Sequence, residues 1–197
     1  MKHAKKLNAL ISEHDGIILT KYVTEAGIPR TYIGELVKEG ALEYLERGIY
    51  ITKDSFDDDM YRLQAKYSSA IFSHDSALLL HDLTDREPLN KSVTVPAGYN
   101  SQKIKDTGTK VYSIKKELYN IGLAIEKTNF GREVKCYNME RTICDILRSR
   151  NQMDISIIID AIKRYAKRKD KNLPQLMRYA ESFRVTKILR SYLEVLL

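Results

Sequence analysis

Three groupings in this 197-residue chain bring together side chains able to do chemistry. The run "SHDS", Ser73–Ser76, holds serine, histidine and aspartate, the types that make a nucleophile, its base and the base's orienter. Adjacent residues on one short helix cannot form that line, because each role needs the next side chain within hydrogen-bond reach. Asp106 with Glu133-Val-Lys135 loosely matches a metal-dependent nuclease, in which carboxylates hold the ion and a lysine offsets developing charge. So short a pattern arises readily in a chain that is 30% charged, and Glu133 and Lys135 on one strand face are also what a solvated face carries. His74 and His81 lie seven positions apart with no third ligand at metal spacing. With no P-loop and no GxGxxG run, the chain is expected not to be an enzyme, with no catalytic residue, metal site or cofactor. A metal-dependent nuclease is the weaker alternative.

The other available chemistry is recognition of an anion. In "EAGIPRTYIGELVKEG", residues 25–40, Arg30, Thr31 and Tyr32 stand at the start of a helix predicted over Pro29–Glu39. Ile33, Leu36 and Val37 share its inner face, which leaves Glu35 and Lys38 outward. A recognition helix pushes this N-terminal end into the major groove. There an arginine can donate two bonds to a guanine edge, and a threonine can meet a base edge or a thymine methyl. Gly34 is a weak helix former, by about 1 kcal/mol against alanine, but the missing side chain lets a partner approach the backbone. The candidate DNA-contacting set is Lys21, Arg30, Thr31, Tyr32, Lys38 and Arg47. Far down the chain Lys163, Arg164, Lys167, Arg168, Lys169 and Lys171 crowd the end of another predicted helix. Cations are favoured at a helix C-terminus, yet this density exceeds that need and suits a DNA or RNA backbone.

The elements that must position these residues follow from pattern. Helices are predicted over Ala4–Glu13, Lys21–Ala26 and Pro29–Glu39, with Thr20 as an N-cap, Gly27 as a C-terminal stop and Pro29 in the first turn of its helix. "ALEYLERGIYIT" then reads as a hairpin turning at Arg47-Gly48. A helix-turn-helix followed at once by such a hairpin is the winged-helix arrangement, with Arg47 at the wing tip. Asp57, Asp58 and Asp59 start a linking helix rather than a metal cluster, since adjacent helical residues point in different directions. Beyond them come a short helix over Ser73–His81, strands in "KSVTVP" and "TKVYSI", and a hairpin turning at Asn129–Gly131. Four helical patterns finish the chain. One spans Met139–Arg150. The next, from about Asp154, carries Ile155, Ile158, Ile159, Ile162 and Tyr165 on a stripe, and Pro174 opens a third. The last places Val185, Ile188, Leu189, Tyr192, Leu193 and Leu196 on one face. The fold class is α+β, with a winged helix-turn-helix over residues 1–58 and a mixed α/β domain over residues 59–197 that ends in several helices.

Composition narrows the classes. At 43% hydrophobic with nine Gly and four Pro the chain is no disordered polypeptide, and no apolar run approaches the roughly 18 residues of a membrane span. The expected location is cytoplasmic, with no membrane partner. Cys136 and Cys144 make no CxxC pair and read as buried apolar residues. The net charge is +7, but it is unevenly spread: residues 1–60 carry 8 Lys+Arg against 11 Asp+Glu, residues 61–119 carry 9 against 6, and residues 120–197 carry 16 against 9. The segment bearing the DNA-reading motif is therefore acidic. That keeps open a second reading, a winged helix used for protein contacts beside a basic RNA-binding domain.

"GIILTKYVTEAGIPRTYIGELVKEGALEYLERGIYI" resembles the N-terminal winged helix of AbiEi-type antitoxins, through its "AGIP" turn and "RGIY" wing. The likeness continues more weakly through "FSHDSALLLHDL", "KSVTVPAG" and "NMERTICDIL". The resemblance implies the antitoxin and autorepressor of a type IV toxin–antitoxin, or phage abortive-infection, operon. Its partners would be operator DNA with repeats and a nucleotidyltransferase-like toxin, neutralised by the second domain with or without contact. Carried over by position, Arg30, Thr31, Tyr32 and Arg47 become the DNA readers.

Overall fold

The computed structural model describes residues 2–196, with side chains through residue 194. It combines helices with two sheets and divides into two compact units, one up to Ala65 and one from Lys66 onward.

The first unit runs α1 (Lys2–Glu13), β1 (Ile17–Leu19), α2 (Thr20–Glu25), α3 (Thr31–Lys38), β2 (Glu43–Glu46) and β3 (Ile49–Ile51). The strands form an antiparallel sheet in the order β1-β3-β2, with Ile17 opposite Ile51 and Leu19 opposite Ile49. β1 is an element that the sequence pattern does not predict. Its three apolar residues are all buried, so no alternation marks them as a strand. The period of two nevertheless sorts them, Ile18 joining Leu7, Val23, Ile28, Ile33 and Leu42 on the helical side while Ile17 and Leu19 join Ile49, Ile51 and Ala65 on the other.

Local chemistry corrects two expected helix starts. α2 begins at Thr20 itself, and the Thr20 hydroxyl makes no cap; it donates instead to the Gly48 carbonyl at 3.2 Å, beside a backbone bond to the same oxygen. Thr20 thus ties the hairpin turn to the head of α2. Pro29 precedes α3 rather than opening it, its carbonyl accepting from Tyr32 N at 3.2 Å in a tight lead-in turn. Gly27 has φ +68°, the left-handed conformation that stops a helix.

α4 (Asp59–Lys66) starts where the acidic triplet predicts, with Asp58 Oδ1 accepting from Tyr61 N at 2.9 Å. The division between units falls at 65/66, later than the 58/59 boundary expected, because Ala65 packs into the sheet cluster of the first unit.

The second unit contains β4 (Ile71–Phe72), α5 (His74–Leu80), β5 (Ser92–Pro96), α6 (Gln102–Lys105), β6 (Lys110–Ile114), α7 (Lys116–Tyr119), β7 (Leu123–Lys127) and β8 (Glu133–Tyr137). Then come α8 (Met139–Arg148), a 3-10 turn at Arg150–Gln152, α9 (Ile155–Lys167), α10 (Leu173–Ser182) and α11 (Thr186–Leu196). The mixed sheet has the order β6-β5-β4-β8-β7, with β4 parallel to β8 and β5 parallel to β6. The β7–β8 hairpin turns as expected, with Gly131 at φ +80°. Leu78, Ile143, Ile146, Ile158, Ile162, Leu176 and Leu189 belong to one apolar core. Ile155, expected on the buried stripe of α9, is 52% exposed, and Leu196 lies outside the described side chains.

α8 is buried from Glu140 to Leu147, charged residues included. Asn138 caps it, its side chain accepting from Arg141 N. Arg141 Nε donates to Asp145 Oδ1 at 2.9 Å, and Nη1 donates to the carbonyls of Leu118 and Ile121 at 2.9 and 2.6 Å. The guanidinium lies between the rings of Tyr137 and Phe183, at 3.9 and 4.1 Å. Glu140 accepts from the Tyr165 hydroxyl and from Asn172 N, both at 3.0 Å. Cys136 and Cys144 are free and buried as expected, and burial pushes the Cys144 thiol up to about 12.

Removing one partner of a buried pair strands the other, so Arg141→Ala should lower stability in urea unfolding by about 3–5 kcal/mol. Exposed Arg178→Ala should change it by less than about 0.5 kcal/mol. Burial pushes the Asp145 carboxyl up to about 6 against the pull of Arg141. Between its ordinary range near 4 and about 6, the folded chain therefore keeps a proton that the unfolded chain has released. This contribution to stability falls as pH rises through that window, by up to about 3 kcal/mol. Asp145→Asn should flatten the dependence of the unfolding midpoint on pH between about 4 and 6; an unchanged slope would assign that dependence to other groups.

Candidate nucleic-acid interface

The face available for recognition in the first unit is set by how α3 packs. Ile33 is buried and Tyr32, Leu36 and Val37 are half-buried against α1 and α2. Thr31, Gly34, Glu35 and Lys38 are left exposed. Their spacing of three and four makes a single row along the helix. Arg30 stands exposed just ahead of this row, its Nε donating to Thr24 Oγ1 of α2 at 3.3 Å. Arg47 is exposed in the turn of the β2–β3 hairpin, whose position is fixed by the two bonds from Thr20 to the Gly48 carbonyl.

Two of the six candidates are oriented differently from expectation. Tyr32 turns inward to the helical cluster, its ring 5.6 Å from that of His3. The Lys21 ammonium is bound to the Ala65 carbonyl and lies 5.0 Å from the Tyr22 ring, so it is engaged within its own unit. The structure adds Tyr44, which is 62% exposed on β2 and edge-on to Tyr50 at 5.8 Å. The alternation Glu43-Tyr44-Leu45 beside the turn was the available signal for it. Part of the acidic charge is offset locally, Arg62 bridging Glu46 at 3.2 Å and Asp57 at 3.1 Å.

The cationic cluster of α9 is less free than its sequence suggests. Arg164 makes a two-pronged pair with Asp85 and a second bond to Asp160 at 2.9 Å. Arg168 forks onto Asp170 with two bonds of 2.8 Å and donates to the His81 carbonyl, while Lys171 donates to the Arg168 carbonyl. The forked guanidinium holds the Asp170 carboxyl down to about 2. Lys163, Lys167 and Lys169 are exposed, with no ion pair among the described residues. The accessible charge of this patch is therefore chiefly these three lysines.

The enzyme-like groupings separate in space. Asp106 ends α6 and accepts from Gln102 Nε2 at 2.8 Å, whereas Glu133 opens β8, on the far side of β4 and β5 from β6. His81 Nε2 bonds the Tyr137 carbonyl at 2.7 Å, and among the described residues no three His, Cys, Asp or Glu gather as a metal set. Ser73 and His74 do meet, Oγ to Nδ1 at 3.0 Å, and Ser149 from the end of α8 closes on His74 Nε2 at 3.0 Å. Asp75 takes no part in that line.

Residues 5–52 match the model of a family described as "Transcriptional regulator, AbiEi antitoxin", so the resemblance read from the sequence holds over this stretch. The fold is similar to the crystal structure of the RV2827C protein from Mycobacterium tuberculosis, with a TM-score of 0.59 and 16% identity. That likeness covers 98% of this chain and 78% of the other. No curated protein matches the sequence.

A Cβ built at Gly34 meets no atom within 4 Å. Nothing in the isolated fold therefore requires glycine there, and Gly34→Ala should raise stability by up to about 1 kcal/mol. Thermal unfolding of the two proteins measures it; a loss of stability would show that Gly34 serves the fold.

Proposed function

We propose that the first unit is a winged helix-turn-helix that reads operator DNA, and that the chain is the cytoplasmic, non-enzymatic autorepressor and antitoxin of a type IV, phage abortive-infection operon. The carrying observation is the single exposed row Thr31, Gly34, Glu35 and Lys38 on α3, headed by Arg30 and followed directly by a hairpin with Arg47 at its turn. Arg30 and Thr31 occupy the end of the helix that meets base edges, Gly34 lets the backbone come close, and Arg47 reaches for the flanking phosphate or minor groove. Lys38 and the free lysines of α9 supply sequence-independent phosphate contacts. Neutralisation of a nucleotidyltransferase-like toxin falls to the second unit on the resemblance alone.

A second reading draws on charge. Glu35 lies within the exposed row, and Glu39 and Glu43 are exposed just beyond it, which favours a protein partner for this face and leaves RNA to the second unit. The two readings differ in a mobility shift on the DNA upstream of the chain's own gene against a scrambled duplex. The operator reading expects preference for the upstream DNA, and Arg30→Ala should cost about 1–3 kcal/mol and relax the preference. Gly34→Ala, although stabilising, should weaken the same complex. Replacing Lys163, Lys167 and Lys169 by glutamine should weaken both duplexes alike and lower the salt slope by about 1 for each phosphate no longer neutralised. Equal affinity for the two duplexes overturns the operator reading.

A further inference from the structure

The second unit contains an open cavity of about 340 Å³ whose lining includes His74, Thr94, Tyr112, Arg148, Ser149 and Gln152. We propose that it binds a small phosphate ester of nucleoside monophosphate size, a role separate from the DNA-reading face of the first unit. The backbone is held unusually here. His74, the first residue of α5, has φ +48°, a left-handed conformation that a non-glycine residue keeps only where its surroundings enforce it. That conformation accompanies a close stack of the His74 and Tyr112 rings, with centroids 3.4 Å apart and planes within 7°.

The hydrogen bonds around His74 have one consistent direction. Thr94 Oγ1 donates to Ser73 Oγ at 2.9 Å, so the Ser73 proton goes to His74 Nδ1, 3.0 Å away. Nε2 then carries the ring proton and donates to Ser149 Oγ at 3.0 Å. Burial, reinforced by Lys110, Arg141 and Arg148, holds this imidazole well below the ordinary histidine range and so keeps it neutral. Having accepted from the ring, Ser149 has its own hydroxyl proton available to the cavity. The Tyr112 hydroxyl is buried beside the Lys110 ammonium, which can only donate to it, and its own proton meets no acceptor among the described residues, an arrangement rare enough to point to a missing acceptor. The Arg148 guanidinium is exposed and makes no hydrogen bond or ion pair within the described residues. Lys110, outside the lining, has its Nζ 5.2 Å from the Tyr112 ring centroid and donates to the Gln152 carbonyl at 3.3 Å.

These groups are donors and cations, and the lining includes no carboxylate. A ligand that satisfies them must be an anion rich in acceptors. Phosphate suits a guanidinium beside several hydroxyl donors, but alone it fills little of a cavity of this volume, which lies in the range of small-molecule sites. Val111 and Ile114 in the lining, with the aromatic pair, offer surface to an attached organic body, and Gln152 and Thr94 offer it hydrogen bonds.

Isothermal titration of the full chain with AMP, GMP, CMP and UMP, and separately with inorganic phosphate, tests this. At least one nucleotide should bind saturably at one site and more tightly than inorganic phosphate. Arg148→Ala, at an exposed position, should weaken it by about tenfold or more, Tyr112→Phe by about two- to fivefold, and Arg178→Ala not at all. Thermal unfolding verifies that each variant is folded. Absence of saturable binding for all four nucleotides at millimolar concentration, binding no tighter than inorganic phosphate, or an undiminished affinity in folded Arg148→Ala each overturns the proposal. No DNA enters the experiment, so its outcome is independent of operator recognition.

Discussion

A guanidinium taken wholly out of water is stable only where its donors and its charge are compensated, and Arg141 is 0% exposed in the second unit. Its compensation comes from three directions, although Nη2 meets no hydrogen-bond acceptor among the described residues. The helix supplies Asp145, α7 and the loop after it supply the Leu118 and Ile121 carbonyls, and Tyr137 and Phe183 supply aromatic faces on either side. One side chain thus fixes β8, the α7 loop, α8 and the end of α10 in a single arrangement. The loop must also come very near: a Cβ on Gly122, at φ +76°, would stand 2.5 Å from Arg141 Cβ. A hydrophobic side chain of similar volume fills such space without the desolvation cost, but it would bind neither carbonyl and leave the loop unspecified. The same helix delivers Arg148 and Ser149 to the cavity beside His74, so the buried pair orients the surface that faces a ligand.

Legibility in the sequence follows burial. α1, the Arg47-Gly48 turn, the β7–β8 hairpin and the late helices are readable because each has one wet face and one dry, which leaves a period in the chain. β1 and β4 are not. β4 is two residues long and central to its sheet, with Phe72 paired to both Val93 and Cys136, so it is apolar on both faces and too short to carry a pattern. α8 is legible from its length, but burial of Glu140, Arg141 and Asp145 runs against the rule that charged residues face water. Only tertiary partners distant in sequence explain it.

The candidate interface is legible in kind and partly wrong in orientation. Pattern alone puts Tyr32 outward with Arg30 and Thr31, yet it packs with the helical cluster, because the helix starts after Pro29 and the inner face is wider than Ile33, Leu36 and Val37 alone. Lys21 and the two α9 arginines illustrate a different limit. Sequence counts a cation, while structure shows whether a carbonyl or carboxylate already holds it. Ser73 and His74 make no triad with Asp75, as their adjacency predicts, but the two do bond; the serine that completes their line, Ser149, is 75 residues from His74 and nothing local announces it.

These pairings bear on how a sparsely charged reader would work. Affinity for any duplex scales with the number of phosphates neutralised, and with Lys21 held by the Ala65 carbonyl the first unit leaves Arg30, Lys38 and Arg47 as its candidate cations without an ion pair among the described residues, while exposing Glu35 in the same row. On the proposed function, a wrong sequence therefore gains little from backbone contact, and a carboxylate brought near phosphate without a compensating base contact costs binding. Discrimination is then high relative to total affinity. Such a reader needs its missing affinity from elsewhere, either from phosphate contacts by the free lysines of α9 or from adjacent sites occupied together. On that proposal, operator repeats would meet the second need, since linked binding raises avidity without any new contact at the base edges.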